Sequence, residues 1–391
     1  MYRIISSFRS GAVPPRSSAT YLALHEVSLP LTTILQPRPK KWLRVVFAWL
    51  VLLLFLASAI FATISWRDFT SMAINVPTTG VIFTVDRGAG IGKIAYQLEQ
   101  AKIIPDRRVF RWIAMFKDQA TKIQVGEYRL TADMTQEQVL QKMVSGLVVN
   151  YGFTIIEGWN LQQIMAALRI AEKVSVSTLD SAGISAQLDM VPAQLSASAA
   201  PGSAAVTDVE GLFWPETYNY TAGTNAVTLL QRANKLMQLK LNQLWQARAA
   251  NCKLKNMYEA VIMASIIEKE TKLPAEYAEI SGVYQRRLQQ NMRLQADPTI
   301  IYALLRQGEF SPPLNREHLA IDSPYNTYKN VGLPPTPIAV PGERALYAAL
   351  HPAEGATLYF VADGKGGHVF STTLEEHDAA VARYVRFSSR P

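Results

Sequence analysis

Val45 to Ile64 (VVFAWLVLLLFLASAIFATI) is a run of 20 residues without a charge. At about 1.5 Å rise per residue, a helix of that length spans roughly the 30 Å of bilayer hydrocarbon. Beyond it the pattern breaks into shorter periods. Val81–Val85 is β-rich, and residues 90–100 place Ile91, Ile94, Ala95 and Leu98 on one helical face. A second helix is expected over residues 106–116 after Pro105, a returning strand over residues 126–130 and another helix over residues 135–144. Residues 151–168 repeat the order strand, turn, helix. Amphipathic helices are predicted over residues 226–249 and 255–272, and a shorter one over residues 300–306. Near the end, residues 357–362 and 368–372 bracket Asp363-Gly364-Lys365-Gly366-Gly367, the pattern of a hairpin, and a helix follows over residues 374–386. The fold class read from this is α+β: one N-terminal transmembrane helix (45–64), a small α+β unit (75–150) and a larger α+β domain (151–386). Residues 171–207 drift to Ala and Ser and read as an inserted surface excursion or lid.

Charge orients the first segment. The chain carries a formal net charge of +8, which suggests nucleic acid until the charge is located. Most of it lies before Val45, where Arg3, Arg9, Arg16, Arg38, Lys40, Lys41 and Arg44 face the single acid Glu26. The remainder is nearly neutral, so no nucleic-acid partner is expected. Basic residues before the apolar run keep the N-terminus cytoplasmic and send the body across the membrane. Trp42 and Trp66 flank the run at interfacial positions. Ala57-Ser58-Ala59 has the form of a signal-peptidase site, but the run continues through Ile60 and Phe61, longer than an ordinary signal core. An uncleaved anchor is therefore expected, preceded by a mostly disordered cytoplasmic tail (1–44).

One cysteine, Cys252, excludes a disulfide framework and Cys-rich zinc modules. The five histidines include no four-apart pair, and no metal or cofactor is expected. Residues 88–93 (GAGIGK) fail as a phosphate loop, because Arg87 stands at the first glycine position and Ile94 replaces the Ser or Thr that meets magnesium. The informative stretch is Val261–Thr271 (VIMASIIEKET), an apolar helix that runs directly into carboxylates. Glu268 shares a face with Val261, Ala264 and Ser265, whose small side chains leave room for a groove floor; Glu270 shares one with Met263, Ile266 and Ile267. A carboxyl against an apolar wall holds its proton near neutrality. The plainer reading is a helix end reaching water, with Glu268 and Lys272 as a four-apart ion pair. Polar loops follow at residues 294–299 and 322–328, and residues 210–218 set aromatic rings between acids. Such groups suit a sugar groove, and each is also ordinary turn chemistry.

Together EGLFWPETY (210–218), ASIIEKET (264–271), LQADPTIIY (294–302), YNTY (325–328), GLPPTPI (332–338) and LYFVADGKGGHVFSTTLEEH (358–377) resemble the endolytic murein transglycosylase (MltG/YceG-like) family. The resemblance implies a LysM-like subdomain over the small unit and Glu268 as catalytic acid/base. By a looser similarity to soluble lytic transglycosylases, Gln295, Tyr325 and Asn326 would line the cleft, with Asp297 and Glu216 as further substrate-binding candidates. It also implies an inner-membrane protein with a periplasmic body. That body would cut nascent peptidoglycan strands between N-acetylmuramic acid and N-acetylglucosamine and leave 1,6-anhydro ends. Synthases of elongation or division would be its partners. Two rivals stay open: a muramidase pairing Glu268 with Glu216 or Asp297 to activate water, and a non-enzymatic wall-binding scaffold.

Overall fold

The apolar run lies within one helix, α1 (Lys41–Ser71), which extends past it at both ends. Side chains of its first twenty residues are exposed, as lipid-facing side chains would be. The structure, a computed structural model, describes residues 41–176, 208–308 and 310–388. The tail before Lys41 and residues 177–207 of the expected insertion lie outside the described residues.

From Ser65 onward the chain is one compact unit built on three buried apolar clusters. The first belongs to β1 (Val81–Val85), α2 (Ile91–Gln100), α3 (Arg107–Phe116), β2 (Gly126–Leu130) and α4 (Gln136–Ser145), the elements predicted there. β1 and β2 pair antiparallel, Val81 opposite Leu130 and Val85 opposite Gly126. Alternate residues Phe83, Val85, Tyr128 and Leu130 point into a core completed by Ile94, Leu98, Phe110 and Ile113. The Asp106 carboxylate caps α3 by accepting the Arg108 N–H, and a Thr135–Gln138 capping box opens α4.

The second cluster lies under β3 (Tyr151–Thr154), α5 (Leu161–Ile170), β4 (Thr217–Tyr220) and the start of α6 (Ala226–Gln246). β3 and β4 pair antiparallel, Tyr151 opposite Tyr220. β4 was not anticipated: Thr217-Tyr218-Asn219-Tyr220 is a four-residue alternation hidden behind the aromatic cluster. The third and largest cluster surrounds α7 (Met257–Glu270), buried at every position from Ala260 to Ile267. α7 is the hub on which α6, α8 (Tyr277–Gln289), α9 (Asp297–Gln307) and α10 (Glu343–Leu350) pack. Each large apolar side chain so buried contributes about 1.5–3 kcal/mol. α8 and α10 were missed: α10 has only eight residues, and Gly282 sits mid-helix in α8. A Cβ at Gly282 would stand 2.5 Å from the Ala353 carbonyl oxygen, so that glycine serves a close approach and does not break the helix. The hairpin β5 (Tyr359–Ala362) and β6 (His368–Ser371) pairs as expected and is followed by α11 (Leu374–Ser388).

Candidate functional site

Glu268 and Glu270 are two positions apart at the end of α7, so their side chains leave the helix on different sides. On the Glu268 side the strip of small residues is filled by protein. The Ser265 hydroxyl accepts the Ile338 N–H (3.0 Å), and the Glu268 Oε2 accepts the Gly342 N–H (3.0 Å). The expected groove floor is thus a seat for residues 338–342, and Ala264 and Ser265 are fully buried under it. The loop after β3 completes this side. The Gly158 N–H donates to the Val340 carbonyl (2.8 Å), and Lys269 Nζ donates to the Gly158 carbonyl (3.2 Å). Glu157 approaches so closely that a Cβ at Gly342 would lie 2.3 Å from its Oε1. Burial raises the Glu268 pKa, the Gly342 N–H opposes that, and the Glu157 charge adds to it. Among the described residues Glu268 makes no ion pair with Lys272.

On the other side, Glu270 Oε2 accepts the Tyr284 hydroxyl (2.9 Å). Burial pushes the Glu270 carboxyl up to about 7; the Tyr284 hydrogen bond and the Arg287 charge oppose the rise, and the Asp297 charge adds to it. Asp297 opens α9 and accepts the Tyr328 hydroxyl (2.5 Å). The loops bearing these groups interlock: the Gln295 N–H donates to the Thr327 carbonyl (3.1 Å), and the Ala296 N–H donates to the Thr327 hydroxyl (3.0 Å). Gln295 is exposed with φ +54°. Arg287 is buried behind them and ties hairpin to loop, its Nε donating to the Leu358 carbonyl (2.6 Å) and its Nη1 to the Leu294 carbonyl (2.7 Å). The helix end is held as well. Glu276 accepts the Thr271 hydroxyl (3.1 Å), the His368 N–H (2.8 Å) and a contact from His368 Nδ1 (2.8 Å).

The sequence candidates therefore separate. Asp297, at the start of α9, is near enough for its charge to act on Glu270 and accepts the Tyr328 hydroxyl, and Gln295 stands two positions earlier, its N–H on the Thr327 carbonyl. Tyr325 is buried in a third polar cluster. Its hydroxyl meets the Thr336 hydroxyl (2.8 Å) and accepts from Arg306 (3.1 Å), and its ring stands 5.0 Å from that of Tyr302. Asn326 is spent on its own loop, donating to the Leu319 and Ile321 carbonyls and accepting the Tyr328 N–H. Glu216 is exposed, and its backbone carbonyl accepts the Ile155 N–H (3.0 Å). Among the described residues no hydrogen bond joins Gln295, Asp297, Tyr325, Asn326 or Glu216 to Glu268. Glu270 shares its helical face with Met263, Ile266 and Ile267, all fully buried. Glu157 and Gly342 gave no signal, since only folding brings them to α7.

Glu210 is a further buried acid, pushed up to about 7 by desolvation. It accepts the Leu161 N–H at the start of α5 and the Tyr302 hydroxyl (3.0 Å). A cavity of about 420 Å³ is lined by Tyr277, Arg344, Tyr347 and His351 among others, with neither Glu268 nor Glu270 in its wall. Among the described residues no group of three or more His, Cys, Asp or Glu side chains is placed to hold a metal ion. Chemically, the end of α7 offers two carboxyls held above their ordinary range by burial, Glu268 under residues 338–342 and Glu270 behind Tyr284, with Asp297 and Tyr328 on the Glu270 side.

The chain is similar to the endolytic murein transglycosylase of Bacillus subtilis (strain 168), 32% identical over 324 residues, which are 81% of this chain and 85% of that protein. The endolytic murein transglycosylase of Streptococcus pneumoniae serotype 2 (strain D39 / NCTC 7466) is 30% identical over 325 residues, 77% of this chain and 58% of that longer protein. A crystal structure of a yceG-like protein from Listeria monocytogenes is 30% identical, covers 78% of this chain and 99% of its own, and superposes with a TM-score of 0.49. The YceG-like family matches residues 83–383, from the first strand into the last helix, and the chain belongs to that family.

Proposed function

We propose that this chain is a membrane-anchored endolytic lytic transglycosylase of peptidoglycan. Its family and its bacterial relatives support the reaction class, a lyase that breaks a glycosidic bond without water. The substrate is the nascent glycan strand, cut between N-acetylmuramic acid and N-acetylglucosamine. The observation that carries the reading is Glu268, a carboxyl at the end of buried α7 that burial and the nearby Glu157 charge hold above the ordinary carboxylate range, with the Gly342 N–H on its Oε2 (3.0 Å). Protonated Glu268 donates to the oxygen leaving C1 as oxocarbenium character develops. Its carboxylate then takes the proton of the same sugar's C6 hydroxyl, which closes on C1 and leaves a 1,6-anhydro end. Because the nucleophile is already part of the substrate, one carboxyl suffices.

Glu270, enclosed on the other side of α7 and bonded to the Tyr284 hydroxyl (2.9 Å), then serves to hold the helix end in place. Gln295, Asp297 and Tyr328 contact the sugar, while Tyr325 and Asn326 hold the loop in shape and Glu216 lies outside the site. α1 anchors the protein in the inner membrane with the body periplasmic. The β1–α2–α3–β2 unit acts as a LysM-like glycan grip over about residues 75–150, with the catalytic domain over 151–386, working beside a synthase of elongation or division. Purified full-length chain given isolated glycan strands tests the assignment. Glu268→Gln should lower cleavage by about a hundredfold or more, and Glu270→Gln by less than about tenfold; the reverse order moves the acid to Glu270. One observation favours a second reading. The Glu157 charge bears on Glu268, and such a pair could activate water. Mass spectrometry of the products decides, because hydrolysis leaves ends one water heavier than anhydro ends.

A further inference from the structure

α3 has two apolar faces, and only one of them is used by the core. Phe110, Ile113 and Ala114 are fully buried. Arg108, Arg111, Trp112, Met115 and Phe116 recur at three- and four-residue spacing on the opposite face and are exposed, Met115 by 55% and Phe116 by 70%. Three of these are large apolar side chains, an unusual amount to leave in water on one short helix. Trp112 stacks on Phe116 (ring centroids 5.7 Å), and Phe116 meets Trp66 edge to face (6.0 Å).

Trp66 locates this patch. It stands two residues beyond Ile64, where the uncharged run ends, so its Cα lies about 3 Å along the helix from that end. A ring there sits at headgroup level. Phe116 touches that ring and Trp112 touches Phe116, so the three rings form one continuous aromatic patch beginning at Trp66. We propose that the outer face of α3 dips into the outer interface of the same membrane, a second contact that holds the β1–α2–α3–β2 unit against the lipid. Trp112, Met115 and Phe116 enter the boundary between headgroups and acyl chains, and Arg108 and Arg111 meet anionic headgroups. Neither arginine pairs with a carboxylate among the described residues, which leaves both charges free for lipid phosphates. The patch thereby fixes the height of the unit above the membrane.

This inference rests on the reading of α1 as a membrane anchor, and the test separates the two. Full-length chain carrying Cys252→Ser is given one new cysteine at a time, Leu54→Cys, Met115→Cys or Tyr347→Cys, and a nitroxide label. Each form is reconstituted into phosphatidylcholine–phosphatidylglycerol vesicles. Collisions with oxygen against those with a water-soluble nickel chelate report depth. The expected result is membrane-like exposure at positions 54 and 115 and aqueous exposure at 347. A label at 115 that reads as water, or as packed protein shielded from both reagents, while 54 reads as membrane, overturns the docked face and leaves the anchor standing. Aqueous exposure at 54 overturns the anchor and the inference with it.

Discussion

At the scale of single residues, two carboxyls separated by one lysine differ because of what folding places over them. Burial raises both, and each accepts one hydrogen bond that favours its charged form, from the Gly342 N–H at Glu268 and from the Tyr284 hydroxyl at Glu270; the Glu157 charge adds to the rise at Glu268 and the Asp297 charge at Glu270. If Glu268 is the proton donor, kcat/KM holds below its raised pKa and falls tenfold per pH unit above it. A pH–rate profile checks this, and a basic limb beginning near 4.5 would exclude so raised an acid. Glu210 allows a separate test of stability. Its folded-state pKa, about 7, lies above the ordinary value of 4.5, so the unfolded chain ionises first as pH rises. Stability from this group is therefore greatest below about 4.5 and is lost as pH climbs through 7. Glu210→Gln removes that loss. Between pH 5 and 8 the wild type should lose roughly 2–3 kcal/mol relative to the variant, at about 1.4 kcal/mol per unit, as read by urea unfolding at each pH.

At the scale of elements, the site exists because loops are fastened to a buried helix. α7 carries the proposed acid, α9 opens with Asp297, and the β5–β6 hairpin grips the end of α7 through His368, Glu276 and Thr271. The segment of residues 337–342 is wedged just as closely. Gly211 has φ +74°, and a Cβ there would lie 2.4 Å from Pro337 Cβ and 3.0 Å from the Ala339 carbonyl oxygen. Gly88 has nearly the same backbone, φ +78°, but open space around it. Gly88→Ala should then cost only the left-handed conformation, about 1–2 kcal/mol. Gly211→Ala adds overpacking against Pro337, for a total of about 2–4 kcal/mol. Equal losses in denaturant titration would mean that the proline segment yields.

At the scale of the whole molecule, a catalytic body is joined to one apolar helix, 31 residues long with no side chain buried in its most apolar stretch. A helix held by lipid and not by charge resists salt. Membranes from expressing cells should retain the chain through molar salt and alkaline carbonate and release it only to detergent. Release by salt alone would reduce the helix to a peripheral contact.

The order of elements was legible in the sequence wherever one face of a segment meets one core. The β1–α2–α3–β2–α4 run, α6, α7 and the hairpin follow from periods of 2 and 3.6, because burial on a single side leaves that imprint. α7, apolar all round and ending in acids, already marked the place of the chemistry. Which acid is buried deeper, and what stands over it, belongs to tertiary structure alone. Tyr284, Arg287, Asp297 and Tyr328 are 14 to 58 positions from Glu270, on α8, at the start of α9 and in a loop, and no local pattern records their convergence. Gly342 and Glu157 meet Glu268 for the same reason. Periodicity reports the solvent a residue avoids; only packing across long sequence separations selects the neighbour that shifts its proton.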